Sequence, residues 1–343
     1  MHKYLLPVAA LFITTVHAQT DTFTVGGVGD IMIGTNYPAG HLPPNDGKTI
    51  FDPVKTDLLS PDLMFGNSEG TFLDSGGTMK SCSNPAICYA FRQPTRYTQY
   101  LADAGFDVMS TANNHVGDFG EEGRTSTGAA LSKAGLQFAG LVSKPYVTFE
   151  KSGMKIGFTA FAPNSGTQDI RDIEAARKVV HYLDSTCDLV IVSFHGGAEG
   201  SSRNHVTRQT ELFLGENRGN VYEFAHAVID AGADIVFGHG PHVTRAVELY
   251  KDRFIAYSMG NFCTYSRFNL KGNGGYAPII HVNVDRKNGA FLSGKIISIK
   301  QPGEGGPVYD AENQALKDIQ SLTKADFPDT KLTIADNGDM RKK

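Results

Sequence analysis

Tryptophan is missing from all 343 residues, and cysteine occurs only four times. Positive charge is nowhere concentrated: 32 Lys and Arg are scattered against 36 Asp and Glu, for a formal net charge of −4. With no basic stripe or run, neither nucleic acid nor an anionic membrane surface is an expected partner. No stretch reaches the roughly 18 consecutive apolar residues that a transmembrane helix needs. Internal repeats and low-complexity linkers are also lacking. With 41% hydrophobic residues the chain is able to bury a large core, and one α/β domain is the expected organisation.

The first residues stand apart. His2 and Lys3 precede an apolar run from Leu5 to Val16, and Val16-His17-Ala18 offers a small-x-small cleavage site. Residues 1–18 are therefore expected to be a signal peptide cleaved after Ala18, sending the protein to the periplasm or beyond. In such a compartment disulfides persist. Cys82 and Cys88 bracket a five-residue loop, and a local disulfide between them is expected. A metal role for these two is disfavoured because no second cysteine pair accompanies them. Cys187 opens an apolar strand as a core thiol, and the role of Cys263 stays open. The domain is expected over residues 19–300. The Pro-, Gly-, Lys- and Asp-rich segment 301–343 reads as an extension with a frayed end.

What recurs through the domain is a short apolar run that stops at ligand-type side chains. The clearest case is Asp234-Ile-Val-Phe-Gly-His-Gly-Pro-His-Val243. An unbroken apolar run reads as an interior strand, Gly238 and Gly240 permit a sharp turn, and His239 and His242 sit on it. Four other strands end the same way: at Asp30, at Asn67 and Glu69, at Asn114-His115, and at His195. Strand ends are where open α/β sheets place their chemistry. Carboxylate, amide and imidazole donors together suit a divalent ion such as Mn, Fe or Zn, with one or two bound. Two such ions would activate water and clamp a phosphoryl group. His115 is then the candidate general acid, with Asp118 holding its ring. Glu199, Arg218 and Asn261 are candidate substrate-binding residues, Asn261 alternatively orienting a ligand histidine or capping its own turn. Asn113 reads as a turn former, and His181, His205, His226 and His281 lie outside every cluster.

Four motifs, Ala90-Phe-Arg-Gln-Pro94, Ala104-Gly-Phe-Asp-Val108 with Ala112-Asn-Asn-His115, Gly238-His-Gly-Pro-His-Val243 and Tyr257-Ser-Met-Gly-Asn-Phe262, carry a resemblance. The chain resembles the CapA-type capsule-biosynthesis proteins, exported relatives of the calcineurin-like metallophosphoesterases linked to poly-γ-glutamate. The resemblance spans roughly residues 23–300 in motif order. It implies a four-layer α/β/β/α sandwich with a metal site at the strand ends. It further implies Asp30 as first ligand and Asn67 or Glu69 at the bridging position. Asn114, His195 and His239 fall to the second metal, His242 to the first, and His115 is the acid. The chain departs from the wider pattern in three places. Asp30-Ile31-Met32 lacks the usual histidine, Asn67 stands where an aspartate is usual, and the last two histidines are two residues apart. Gly196 follows the strand-end histidine where related chains often have an aromatic. The expected activity is a metal-dependent hydrolase acting on a capsule or envelope polymer or a phosphoester precursor. The alternative is a non-catalytic polyanion-binding component working with other capsule-assembly proteins.

Overall fold

The computed structural model describes residues 21–82 and 88–343, so the expected signal segment lies outside the described residues. The first half holds strands β1 (Thr22–Met32), β2 (Leu63–Ser68), β3 (Thr71–Phe72), β4 (Arg92–Gln93), β5 (Val108–Ser110) and β6 (Gln137–Ala139). The hairpin β7 (Tyr146–Lys151) and β8 (Met154–Phe161) follows. Between them run helices α1 (Lys55–Leu59), α2 (Tyr97–Asp103) and α3 (Gly120–Lys133). The second half begins with α4 (Ile173–Asp184), β9 (Leu189–His195), β10 (Leu212–Phe213), β11 (Glu216–Asn217), α5 (Val221–Asp230) and β12 (Ile235–His239). It continues through β13 (Val247–Tyr250), β14 (Arg253–Ala256), β15 (Asn261–Thr264), β16 (Tyr276–Asp285) and β17 (Phe291–Lys300). The last elements are β18 (Val308–Tyr309), α6 (Gln314–Asp326), β19 (Leu332–Ile334) and β20 (Asp339–Lys342).

Two sheets dominate. The larger runs β19-β20-β17-β16-β1-β2-β5-β6, with β15 alongside β1 and β18 alongside β17; the smaller runs β13-β14-β12-β9-β8-β7. Period-2 alternation explains how they stack. In β9 and β12 every residue is buried, because both faces are covered. Leu189, Ile191, Ile235 and Phe237 point at the other sheet, where Phe65 stacks on Phe237 with ring centroids 5.2 Å apart. Val190, Val192, Phe194 and Val236 point the opposite way, onto Ala176 and Val180 of α4 and Phe224 and Val228 of α5. The larger sheet likewise presents Ile31, Met64 and Met109 to Leu58 of α1, Leu101 of α2 and Leu131 of α3. Helices, sheet, sheet and helices thus form four layers. The close approach of the sheets has a local requirement: a Cβ on Gly27 would lie 2.8 Å from the ring of Phe237.

Helix α4 begins at Ile173, because the side chain of Asp172 accepts a hydrogen bond from Ala175 N and caps it. The polar stretch 211–220 contains the small hairpin β10-β11. One expectation is overturned. The segment after residue 300 is not frayed: β20 pairs with β17, β19 with β20, and α6 buries Ala315, Leu316, Ile319 and Leu322. The physical reason is an open edge. β13 ends the smaller sheet, and its backbone N–H groups at Val247 and Leu249 are satisfied by the hydroxyls of Thr323 and Thr330.

If the C-terminal segment is integral, Ile319→Ala should cost about 2–4 kcal/mol of unfolding free energy, the range for a buried aliphatic truncation. Urea melts of the full chain measure this. A loss under about 0.5 kcal/mol, typical of exposed positions, would return the segment to the status of a tail.

Candidate metal centre

Strand register assembles the site. In the larger sheet Asp30 lies beside Asn67 on one flank and Asn261 on the other. In the smaller sheet His239 lies beside His195. Because the sheets stack face to face, the two groups meet at one end of the sandwich. Asp30 is fully buried; its Oδ1 is 3.2 Å from His239 Nδ1, and its Oδ2 is 2.8 Å from His242 Nδ1. Glu69, also fully buried, places Oε1 3.4 Å from His195 Nε2 and 4.0 Å from His115 Nε2. A left-handed backbone at His242 (φ 57°) turns its ring back toward Asp30. At Gly29 any Cβ would fall 2.0 Å from the carbonyl oxygen of Gly260, so only glycine lets β1 deliver Asp30 here.

Asparagines hold this cluster open. Asn67 Nδ2 donates to Asp30 Oδ1 at 2.8 Å and to Glu69 Oε2 at 2.7 Å. Asn113 Nδ2 donates to Ser68 O and Asn67 Oδ1, and its own Oδ1 accepts from His115 N. That backbone N–H fixes the amide of Asn113, which in turn fixes that of Asn67. Asn67 therefore turns its N–H groups, not its oxygen, toward the carboxylates. In this arrangement Asn67 spaces the two acids, and of the two residues expected at the bridging position Glu69 is the one that offers a carboxylate. Asn113 is more than a turn former, since it braces Asn67 and the turn bearing His115.

Charge in the cluster is mutually dependent. Burial works against ionised Asp30, yet its contacts with His239 and His242 and their charge outweigh burial and hold the acid far below the usual carboxylate range. Burial also opposes a charged His242, but the hydrogen bond to Asp30 and the charges of Asp30, Glu199 and Glu69 push it up to about 10. Glu69 is lowered despite burial, chiefly by the charge of His195. Even so, Glu69 Oε1, Asn114 Oδ1 and both ring nitrogens of His195 and His239 are buried without an aligned hydrogen-bond partner. Buried polar atoms are seldom left this way. Ligand atoms of Glu69, His195 and His242 lie within 4.8 Å of one another, so the donors present fit a divalent cation.

The remaining expected residues divide. His115 Nδ1 lies 2.8 Å from Asp118 Oδ2, leaving Nε2 on the side of Glu69. Asn261 Nδ2 donates to the carbonyls of His242 and Gly274, so it secures the histidine loop, while its buried Oδ1 is unpartnered. Beside it, Glu199, His242, Asn261, Phe213, Phe268 and Lys271 line a cavity of about 260 Å³. Arg218 is not a free anion receptor: it is buried and sits 3.1 Å from both Glu199 and Glu216. Cys82 and Cys88 are joined, with an S–S distance of 2.03 Å. Sequence reasoning missed Arg245, which is fully buried and makes two 2.8 Å hydrogen bonds to Glu211. Glu211 also accepts from Ala198 N, so the pair fixes the segment that follows His195. A single arginine in an apolar context gives no sequence signal for this.

Comparison with known proteins follows the same lines. Residues 24–266 match the family model described as bacterial capsule synthesis protein PGA_cap. The chain is 30% identical over 268 residues to capsule biosynthesis protein CapA of Bacillus anthracis, covering 72% of this chain and 61% of that protein. It is 29% identical over 259 residues to PGA biosynthesis protein CapA of Bacillus subtilis (strain 168), covering 71% and 63% respectively. It thus spans less than two thirds of the length of these relatives. Among solved structures, a novel phosphatase from Mycoplasma pneumoniae superposes with a TM-score of 0.51 at 16% identity, covering 86% of this chain and 96% of that one. A hypothetical protein from Thermus thermophilus gives 0.50 at 16% identity, covering 82% and 100%. The likeness to these structures is one of fold.

A cation held by these donors should stabilise the fold by mass action. Mn added to chelator-treated protein at 100 times its Kd should add about 2.7 kcal/mol, visible as a raised melting temperature. Glu69→Gln and His242→Ala should each remove most of that shift. An undiminished shift in both variants would place the ion elsewhere.

Proposed function

This chain belongs to the bacterial capsule synthesis family described by the PGA_cap model, and on that premise we propose that it is an exported, metal-dependent hydrolase of the phosphoesterase type. It acts in capsule, exopolysaccharide or poly-γ-glutamate biosynthesis, on the polymer or on a phosphoester precursor, in the periplasm or outside the cell. Among the described residues no helix is long and apolar enough to cross a membrane. The observation that carries the reading is the set of buried donor atoms left without hydrogen-bond partners at the ends of facing strands.

Asp30, Glu69, Asn114, His195, His239 and His242 would hold Mn, Fe or Zn, as one ion or two. When bound, the metal supplies a nucleophilic water and polarises a phosphoryl oxygen. The chain's own groups do the rest. Asn67 keeps Asp30 and Glu69 in place by donating to both. His115 presents Nε2 toward the site and gives its proton to the departing oxygen, while Asp118 holds Nδ1 and fixes the ring. Glu199 and Asn261 line the adjoining cavity, where the rest of the substrate lies. A second reading, a polyanion-binding component of capsule assembly without turnover, draws on Asn67. Its amide donates to both Asp30 and Glu69, which leaves Glu69 as the one carboxylate of the pair able to bridge and favours one ion over two.

Elemental analysis of the purified protein, together with hydrolysis of bis-p-nitrophenyl phosphate in added Mn, separates the readings. Turnover that disappears in Asp30→Ala supports the hydrolase. His115→Ala should retain its metal while kcat for diphenyl phosphate, whose phenolate leaving group needs the proton, falls by about 10²–10⁴, the usual weight of a general acid. Metal-loaded protein with no turnover supports the assembly component instead.

A further inference from the structure

The grip on His115 does not end at Asp118. Asp118 is fully buried. Its Oδ2 receives both His115 Nδ1, at 2.8 Å, and the backbone N–H of Phe91, at 2.7 Å. Its Oδ1 faces the ammonium of Lys80 at 2.6 Å. Lys80 holds Asp118 at its other end too, donating its backbone N–H to the carbonyl of Asp118 at 2.8 Å. The same ammonium lies 3.4 Å from the carbonyl oxygen of Asn114, the residue before His115. One lysine therefore touches both sides of the turn 114–118. The Phe91 ring completes the enclosure, with its centroid 4.3 Å from that of His115.

Lys80 and Phe91 are the two stems of one loop, closed between them by the Cys82–Cys88 disulfide. A buried carboxylate with a backbone N–H as its only other anchor would be poorly held, because an uncompensated buried charge reorients or draws in water. An ammonium on the far oxygen removes that freedom. We infer that Lys80 is a positioning residue: through Asp118 it fixes the orientation of His115, so that Nε2 stays aimed at the leaving oxygen. The inference rests on the hydrolase reading for its consequence in turnover, but the geometry of His115 is testable without turnover.

The kinetic test uses two diesters with Mn-loaded full-length protein. Departure of p-nitrophenolate needs little protonation, whereas phenolate departure depends on the acid. Lys80→Met should lower kcat for diphenyl phosphate by about 10- to 100-fold, and that for bis-p-nitrophenyl phosphate by less than about threefold, with KM and Mn content unchanged. Lys80→Arg should recover most of the loss. Equal losses on the two esters, or loss of Mn, would overturn the role, since either marks a structural or metal-site defect. The second test needs no activity. Diethyl pyrocarbonate is added to metal-free protein, and acylation of His115 is followed by peptide mass spectrometry. A released ring should react at least about threefold faster in Lys80→Met, as locally loosened segments do, while His226 reacts at the wild-type rate and reports an intact fold. Unchanged acylation of His115 overturns the proposal. Wild-type protein that hydrolyses neither diester would defeat the hydrolase reading alone, with the acylation result still deciding for or against Lys80.

Discussion

Everything at the ligand-bearing end of this molecule depends on giving the buried carboxylate of Asp30 a substitute for water. A carboxylate moved from water into a protein interior loses several kcal/mol unless protein groups replace its hydration. Here the replacements come from both sheets: His239 from the smaller and His242 from the turn that follows it, Asn67 from the larger. The requirement runs outward from there. Asn67 has to be orientated, which Asn113 does; His242 has to turn back, which its left-handed backbone and the amide of Asn261 secure. The stacked sheets are thus locked at their ligand-bearing end by polar contacts and along their length by aromatic ones.

The same logic governs the periphery. Sheets leave edges, and unpaired edge groups need partners. At β13 the partners are two threonine hydroxyls from the C-terminal segment, which also brings α6 against the inter-sheet core and adds three strands to the larger sheet. The pair Arg245 and Glu211 does for the loop after β9 what those threonines do for the edge: it satisfies groups that the loop would otherwise bury alone.

Much of this was legible in the sequence, for a definable reason. Buried strands announce themselves as unbroken apolar runs, and ligand residues placed directly after such runs inherit their position from the strand. Asp30, His195 and His239 could be placed at one end of the sheets on that basis. What was not legible depends on partners distant in sequence. The composition of 301–343 suggested disorder because its polar residues outnumber the few apolar ones of α6, and the edge those threonines serve is invisible locally. Side-chain direction was also hidden. Asn67 looked like a ligand because residue type and place agreed, but the orientation of its amide is set by Asn113. Arg218 looked available for an anion until Glu199 and Glu216 were seen beside it.

The position of β1 in the larger sheet has a bearing on how the molecule is made. Its first part is flanked by β2 and β16, and its last residues by β2 and β15, so the strand carrying Asp30 is completed by chain some 230 residues downstream. Closing so long a span has an entropic cost that local contacts do not repay. During synthesis the amino-terminal part emerges with its ligand residue but without two of its neighbours, and His242 comes late as well. No early fragment contains the donor set. A cation held by the full donor set would therefore need the chain from Asp30 to His242, so the centre does not form on the amino-terminal strands alone.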